Sequence, residues 1–479
     1  MRFGGSSVRT CMMAVVVLLT ASVLYAGTDE WTDTRKAPYL LFNGNAGEME
    51  VHWQLTSQKT CTIKWGQDTT YSDSASTTEY NSGSNGHQHK YTIKELETGK
   101  KYYFKVIAGS DTHTGSFYTA PAASATSLSF YAYGDTRNYP ETQNAVAGGV
   151  LDYIDTNPAS QTILIMTGDL VGDGEKEGDW DDQFFTEDAP NVNELRATIP
   201  FLSSRGNHEG NSSLFQKYFP YPYETPCYWS FDYGPAHFTY IDQYKSYSSG
   251  STQYNWIKND LKNSNKTWKF IILHEPGWSA GGHSNEKPVQ DYIQPLCKDY
   301  GVAIVFGGHN HYYARAEVDG VQHITTGGGG APLYSPDPNA DKIVATAKKN
   351  HFCKIDIANN TLHFEAYATD ASLIDSFTVY PTGIEGQGFA RLMHNELHQN
   401  TPNPFNGYTT IDVSVHNAGH VSLKVYDMAG REVATLADAF MAPGEYEFVW
   451  EAGNHPDGVY YCRLSTPGVV DVRKMVLLR

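Results

Sequence analysis

Cysteine is scarce in this chain, and long apolar runs are missing from all but its first residues. Six cysteines are spread over 479 residues with no C-x-x-C pair, which excludes a zinc ribbon and a dense disulfide scaffold. Positive charge is also short: 35 Lys and Arg stand against 53 Asp and Glu, a net charge of −18. So acidic a chain is a poor partner for nucleic acid or an anionic membrane. If it handles phosphate it needs local positive charge, and metal ions are the obvious source. Charged residues are only 18% and aromatics 13%, with 33 Tyr, which is a globular composition rather than a disordered one. The length calls for about three domains.

The one apolar run, MMAVVVLLTASVLYA, follows Arg2 and Arg9. It is too short and too early for a membrane span and reads as a signal peptide over 1–26, cleaved after Ala26, with Leu24 at the −3 position. A retained membrane anchor is the alternative. Removing two Arg and no acid leaves 33 basic and 53 acidic residues, net −20. Cys11 leaves with the signal. Cys61, Cys227, Cys297, Cys353 and Cys462 remain, compatible with one bridge and leaving at least one thiol free. Asn211, Asn265 and Asn359 lie in N-x-S/T sequons, which matter only in a glycosylating host.

Residues 37–121 alternate like a small β-sandwich: in EMEVHWQL, Met49, Val51, Trp53 and Leu55 share one face at period two. His87 and His89 in this region form an H-x-H without carboxylate partners in a matching pattern, and read as a solvated loop. From 127 to 378 short apolar runs (SLSFYAYGD, TILIMTGD, WKFIILHEP, VAIVFGGHNH) end in Gly-Asp or His, with helices at QYNWIKNDLKN and PVQDYIQPLCKDYG. Buried runs capped by polar residues predict an α/β sheet whose site lies at the strand ends. Residues 379–400 loosen into a linker, and 401–479 return to short strands and turns, a second small β-sandwich of Ig-like type.

Five places in the middle region present metal-type ligands after apolar runs. They are Asp135 in YGDTRN, Asp169 in TGDLVGDG, Asn207 with His208 in RGNHEG, His274 in LHEP, and His309 with His311 in GGHNHYYAR. Each alone has a bland reading as a turn, an N-cap or a core histidine. Together, carboxylates first and imidazoles last, they offer oxygen and nitrogen donors without thiolate, a set suited to Fe, Mn or Zn. There are enough donors for two ions sharing one carboxylate, and two such ions can hold phosphate, activate a water and offset leaving-group charge.

The order GD, GD, GNHE, H-x-P, GHxH resembles that of the calcineurin-like metallophosphoesterases. With a fibronectin type III-like domain in front, residues 37–378 look like the purple acid phosphatase branch. The resemblance implies Asp135 and His311 on a first metal, Asp169 bridging, and Asn207, His274 and His309 on a second. It implies His208 as the phosphate contact and general acid, and His283 as a substrate-facing histidine. Two positions depart from the pattern. The branch's purple-making tyrosine, three residues after the bridging Asp, is Gly172 here, and the wider superfamily's His, two residues after the first Asp, is Arg137. Asn138, Asp173 or water would have to fill the first site, no purple colour is expected, and Arg137 is free to reach the substrate phosphate or to form a structural ion pair.

EGDWDD (177–182) reads as a solvated acidic loop rather than a calcium site, and GGGGAP (327–332) as close backbone packing near the site. Residues 401–479, through Asn403-Pro404-Phe405, Gly430-Arg431 and Gly458-Val459-Tyr460, resemble C-terminal sorting domains of the type IX secretion system. That implies export to the medium or cell surface and contact with the secretion machinery. The expectation is therefore a secreted, acid phosphatase-like, dinuclear-metal phosphomonoesterase in which hydroxide attacks phosphorus. Its rivals are a phosphodiesterase or nucleotidase on the same site, or a surface binding protein with a degenerate metal site.

Overall fold

Four phenylalanines decide how the middle of the chain packs. In the computed structural model, which describes residues 31–479 apart from 81–85, 226, 382–394, 416–418, 429, 443 and 467–468, Phe130 projects from one sheet onto Phe238, Phe270 and Phe306 of a second. Its ring centroids lie 5.3, 5.1 and 6.2 Å from theirs. All four rings are fully buried, each contributing about 1.5–3 kcal/mol through burial. The two sheets are therefore the layers of an α/β sandwich, the fold class that the resemblance to the metallophosphoesterases implies, where the apolar runs predict an α/β sheet.

The first sheet holds six strands and carries Ser127–Tyr133, Leu164–Met166 and Phe201–Ser203 side by side in parallel. The second holds seven, with Ala236–Tyr240, Trp268–Ile272, Val302–Gly307 and Val321–Thr326 parallel. Val302–Gly307 is buried at every position, as a strand covered on both faces must be. The helix Thr252–Asn263 starts where the Ser251 hydroxyl accepts the Tyr254 N–H at 3.2 Å. The helix Gln294–Tyr300 stops at Gly301, whose φ of 69° only glycine adopts freely.

The N-terminal domain is a sandwich of a three-stranded and a four-stranded sheet. Its strand Met49–Leu55 is buried on both faces, although alternation predicts one. The second face meets the central domain. Tyr39 of the neighbouring strand packs on Phe185 at 5.1 Å and donates to the Tyr218 carbonyl, and Gln88 donates to the Lys217 carbonyl. His89 departs from the solvated-loop reading: it is fully buried and stacked on Trp53 at 5.3 Å. The EGDWDD stretch is also corrected. Trp180 is buried, and Glu177 and Asp181 pair with the fully buried Lys36 and with Arg35 of the N-terminal domain.

The C-terminal sandwich has its own core around Trp450, Leu423 and Met475. The strand Glu396–Leu397 pairs within it, so it takes in residues assigned above to the 379–400 linker. Residues 382–394 of that linker, and the signal peptide, lie outside the described residues. Among the described residues no helix is long and apolar enough to cross a membrane. All five cysteines there are buried and free, so the compatible disulfide is not formed.

His237 is gripped from both sides: Nδ1 lies 2.7 Å from Asp232 and Nε2 2.9 Å from Asp260. Thr239 and Ser230 also donate to Asp260, and Lys266 lies 3.8 Å from Asp232. Burial works against its charged form, but the two carboxylates outweigh it and raise the imidazole to about 9. Because the folded value is the higher one, the stabilisation is complete below about pH 6.5 and is lost as pH rises through 9. His237→Gln is therefore expected to cost on the order of 3 kcal/mol near pH 6 and much less above pH 9. Unfolding midpoints of both proteins across that range check this.

Candidate metal centre

Every sequence-predicted ligand leaves the C-terminal end of a parallel strand. Asp135 follows Ser127–Tyr133, Asp169 follows Leu164–Met166, Asn207 follows Phe201–Ser203, His274 follows Trp268–Ile272, and His309 and His311 follow Val302–Gly307. Asp135, Asp169 and His309 all have left-handed φ, at 56°, 54° and 66°. That conformation costs a non-glycine residue about 1–3 kcal/mol, and here it falls on three of the predicted ligands.

The donor atoms form two groups, each within 4.8 Å: Asp169, His274 and His309 in one, Asp135, Asp169 and His311 in the other. Asp169 belongs to both. The Asn207 carbonyl oxygen joins the first group, 3.0 Å from His274 Nε2 and 2.9 Å from His309 Nδ1. Asp173 does not reach the centre but pairs with Lys176 on the surface.

Backbone carbonyls set the imidazoles. His274 Nδ1 lies 2.7 Å from the Thr167 carbonyl and His311 Nδ1 2.8 Å from that of Pro332, so each ring donates there and turns Nε2 inward. Burial lowers His309 to about 3 and His311 to about 4, leaving lone pairs free to bind. Burial pushes Asp135 up to about 8. Burial acts the same way on Asp169, but the His274 charge outweighs it and holds that carboxyl below its usual range. In turn Asp169, against burial, raises His274 to about 10.

The site is cut to fit by glycine. A Cβ on Gly206 would stand 2.1 Å from Asp169 Oδ1, and one on Gly308 2.2 Å from Asp135 Oδ2. The GGGGAP run closes the same wall, as predicted: a Cβ on Gly327 would meet the Asn310 carbonyl at 2.4 Å. The donors, their shared carboxylate and this cradle suit two small cations.

His208 stands at the rim. Its N–H donates to Asp169 at 3.0 Å, its Nδ1 lies 2.5 Å from the Gly172 carbonyl, and its Nε2 lies 3.8 Å from Asp169 Oδ2. His283 is exposed and stacks on His309 at 3.9 Å. Arg137 reaches inward, Nε 3.5 Å from Asp169 and Nη2 3.3 Å from His311 Nε2. Sequence reading missed Glu209, Gln183 and Tyr334. Buried Glu209 accepts the N–H groups of Gly206, Asp169 and Leu170 at 2.7–2.9 Å. Gln183 ties the loops of Asn138 and Gly172 through one oxygen. Tyr334 stacks on His311 at 4.3 Å. Only Glu209 gave a signal, its place in GNHE.

Gly206→Ala and Gly308→Ala are expected to weaken metal retention by about tenfold or more, since each pushes a ligand carboxylate out of position. Metal content after dialysis, measured by mass spectrometry, checks this.

Comparison with known proteins agrees with this geometry. Residues 104–313 match the calcineurin-like phosphoesterase family, 36–126 the purple acid phosphatase N-terminal domain, and 401–478 a secretion system C-terminal sorting domain. A purple acid phosphatase of Glycine max is 26% identical over 321 residues, covering 60% of this chain and 64% of that protein. The Fe(3+)-Zn(2+) purple acid phosphatase 12 of Arabidopsis thaliana is 24% identical over 253 residues, covering 48% and 53%. The chain thus spans less than two thirds of the length of these relatives. A purple acid phosphatase structure from yellow lupin (Lupinus luteus) seeds superposes with a TM-score of 0.61 at 20% identity, covering 72% of this chain and 75% of that one. The sorting domain marks the chain as secreted or surface-exposed. Its central module is a calcineurin-like metallophosphoesterase domain of the purple acid phosphatase type, set between that branch's N-terminal domain and a secretion sorting domain.

Proposed function

We propose that this chain is a secreted hydrolase of phosphomonoesters, working through two metal ions held by Asp135, Asp169, Asn207, His274, His309 and His311. The observation that carries the reading is Asp169, shared by two donor groups with His208 at its edge. When bound, such ions supply charge to hold phosphate and to activate water.

The chain's own groups do the rest. His208 is held through Nδ1, so its Nε2 is the atom that can give a proton to the leaving alkoxide. Asp169 accepts the His208 N–H and so ties the acid's position to that of the shared ligand. Arg137 lies against His311 and the exposed His283 against His309, and both would orient the phosphate oxygens. Gly172 brings no phenol to the first site, so the iron-loaded protein should lack purple colour.

Purified protein is expected to hydrolyse an aryl phosphomonoester faster than the matching diester, to lose activity on chelation and to regain it with Mn, Zn or Fe. Preference for the diester would favour a phosphodiesterase or nucleotidase, and no turnover in folded, metal-loaded protein would overturn the enzyme reading. His208→Ala is expected to lower kcat by at least about a hundredfold without changing metal content, which separates the acid from the ligands.

A further inference from the structure

Apart from Asp169, which both groups share, the guanidinium of Arg137 touches a donor of one group alone, His311. The Arg137 N–H is held by the Asp169 carbonyl at 3.3 Å and Nη1 donates to the Asn138 side chain at 2.7 Å. That aims Nη2 at His311 Nε2, 3.3 Å away. Because His311 Nδ1 donates to the Pro332 carbonyl, Nε2 carries the ring's one in-plane lone pair. An ion at this group needs the same lone pair. Arg137 Nε is buried, has no hydrogen-bond acceptor and faces Asp169 Oδ2 at 3.5 Å, so the guanidinium charge is directed into the group.

We infer that Arg137 is a built-in cation at the Asp135–Asp169–His311 group, so that the two ions bind unequally: the Asp169–Asn207–His274–His309 group fills first, and the other fills second and weakly. Three observations converge on this. The weak group has three protein donors against four. Arginine stays charged at all working pH values, so its repulsion of an ion cannot be relieved by losing a proton. And the place where a further donor would come from, Gly172, is walled by Asp179, Asn138 and Gln183, which lie 3.1–3.3 Å from a Cβ built there. The inference rests on the two-ion reading above and adds an order of loading to it.

The test is a manganese titration of the metal-depleted full chain by calorimetry, with electron paramagnetic resonance reporting when two ions become coupled. Wild type is expected to show two steps at least about tenfold apart, with the coupled signal appearing only in the second. Arg137→Met, which removes the charge and keeps the bulk, should tighten the second step by about tenfold or more and leave the first alone. Arg137→Lys, which keeps the charge, should preserve the gap better than Met does. Two coincident steps in wild type would overturn the inference, as would a gap that Met leaves unchanged or that Lys narrows equally, while leaving the two-ion reading intact. A single step in wild type and both variants would overturn that reading and this inference with it.

Discussion

A buried carboxylate is the constraint around which this molecule is arranged. Asp169 is 1% exposed, and an uncompensated charge at that depth costs several kcal/mol. Its surroundings are what such a cost demands: an amide donor from His208, the imidazole of His274, the guanidinium of Arg137, and donor sets on both sides. The need for close approach then dictates glycine at 168 and 206, where the backbones of two strand-end loops pass within contact of each other. Because the amide that steadies the carboxylate belongs to His208, the proposed acid and the carboxylate shared by both donor groups are placed by one hydrogen bond.

Most of the frame could be read from residues alone, for a physical reason. Strands buried on both faces appear as unbroken apolar runs, and ligands at their ends interrupt those runs visibly, so Asp135, Asp169, His274, His309 and His311 stand out in order. What escaped reading acts through the backbone or across long separations. Glu209 holds amide groups some 40 residues away, and the Thr167 and Pro332 carbonyls have no side chain to notice. His89 looked like one more H-x-H because the ring that stacks on it, Trp53, comes from another strand. The acidic stretch around Glu177 and Asp181 looked solvated because its cations are distant in sequence: Arg35 and Lys36 lie more than 140 residues earlier, and Lys217 lies 40 residues after Glu177.

The two departures from the family pattern are neighbours in space. Gly172 lacks a side chain where Asn138, the residue after Arg137, and Gln183 fill the room. Gln183 accepts an N–H from each of the two loops. Restoring a large ring at 172 alone would therefore collide with the group that holds the Arg137 loop. The glycine and the arginine belong to one local solution, in which polar side chains and a fixed cation occupy the volume around the Asp135 side of the centre.

The ion-pair cluster at Lys36 has a consequence for how the chain can be divided. Tyr39 and Leu41 of the strand Thr34–Leu41, and Phe42 just after it, are part of the same buried core as the central sheets, and Lys36 brings its charge to carboxylates of the central domain. A gene fragment starting at the central sheets would lose Arg35 and Lys36 at Glu177 and Asp181, keep Lys217 at Glu177, and bare an aromatic face at Phe185 and Phe231. The first two modules are thus one physical unit with a shared core, a cut between them exposes apolar surface, and the C-terminal sandwich that begins at Glu396 has a core of its own.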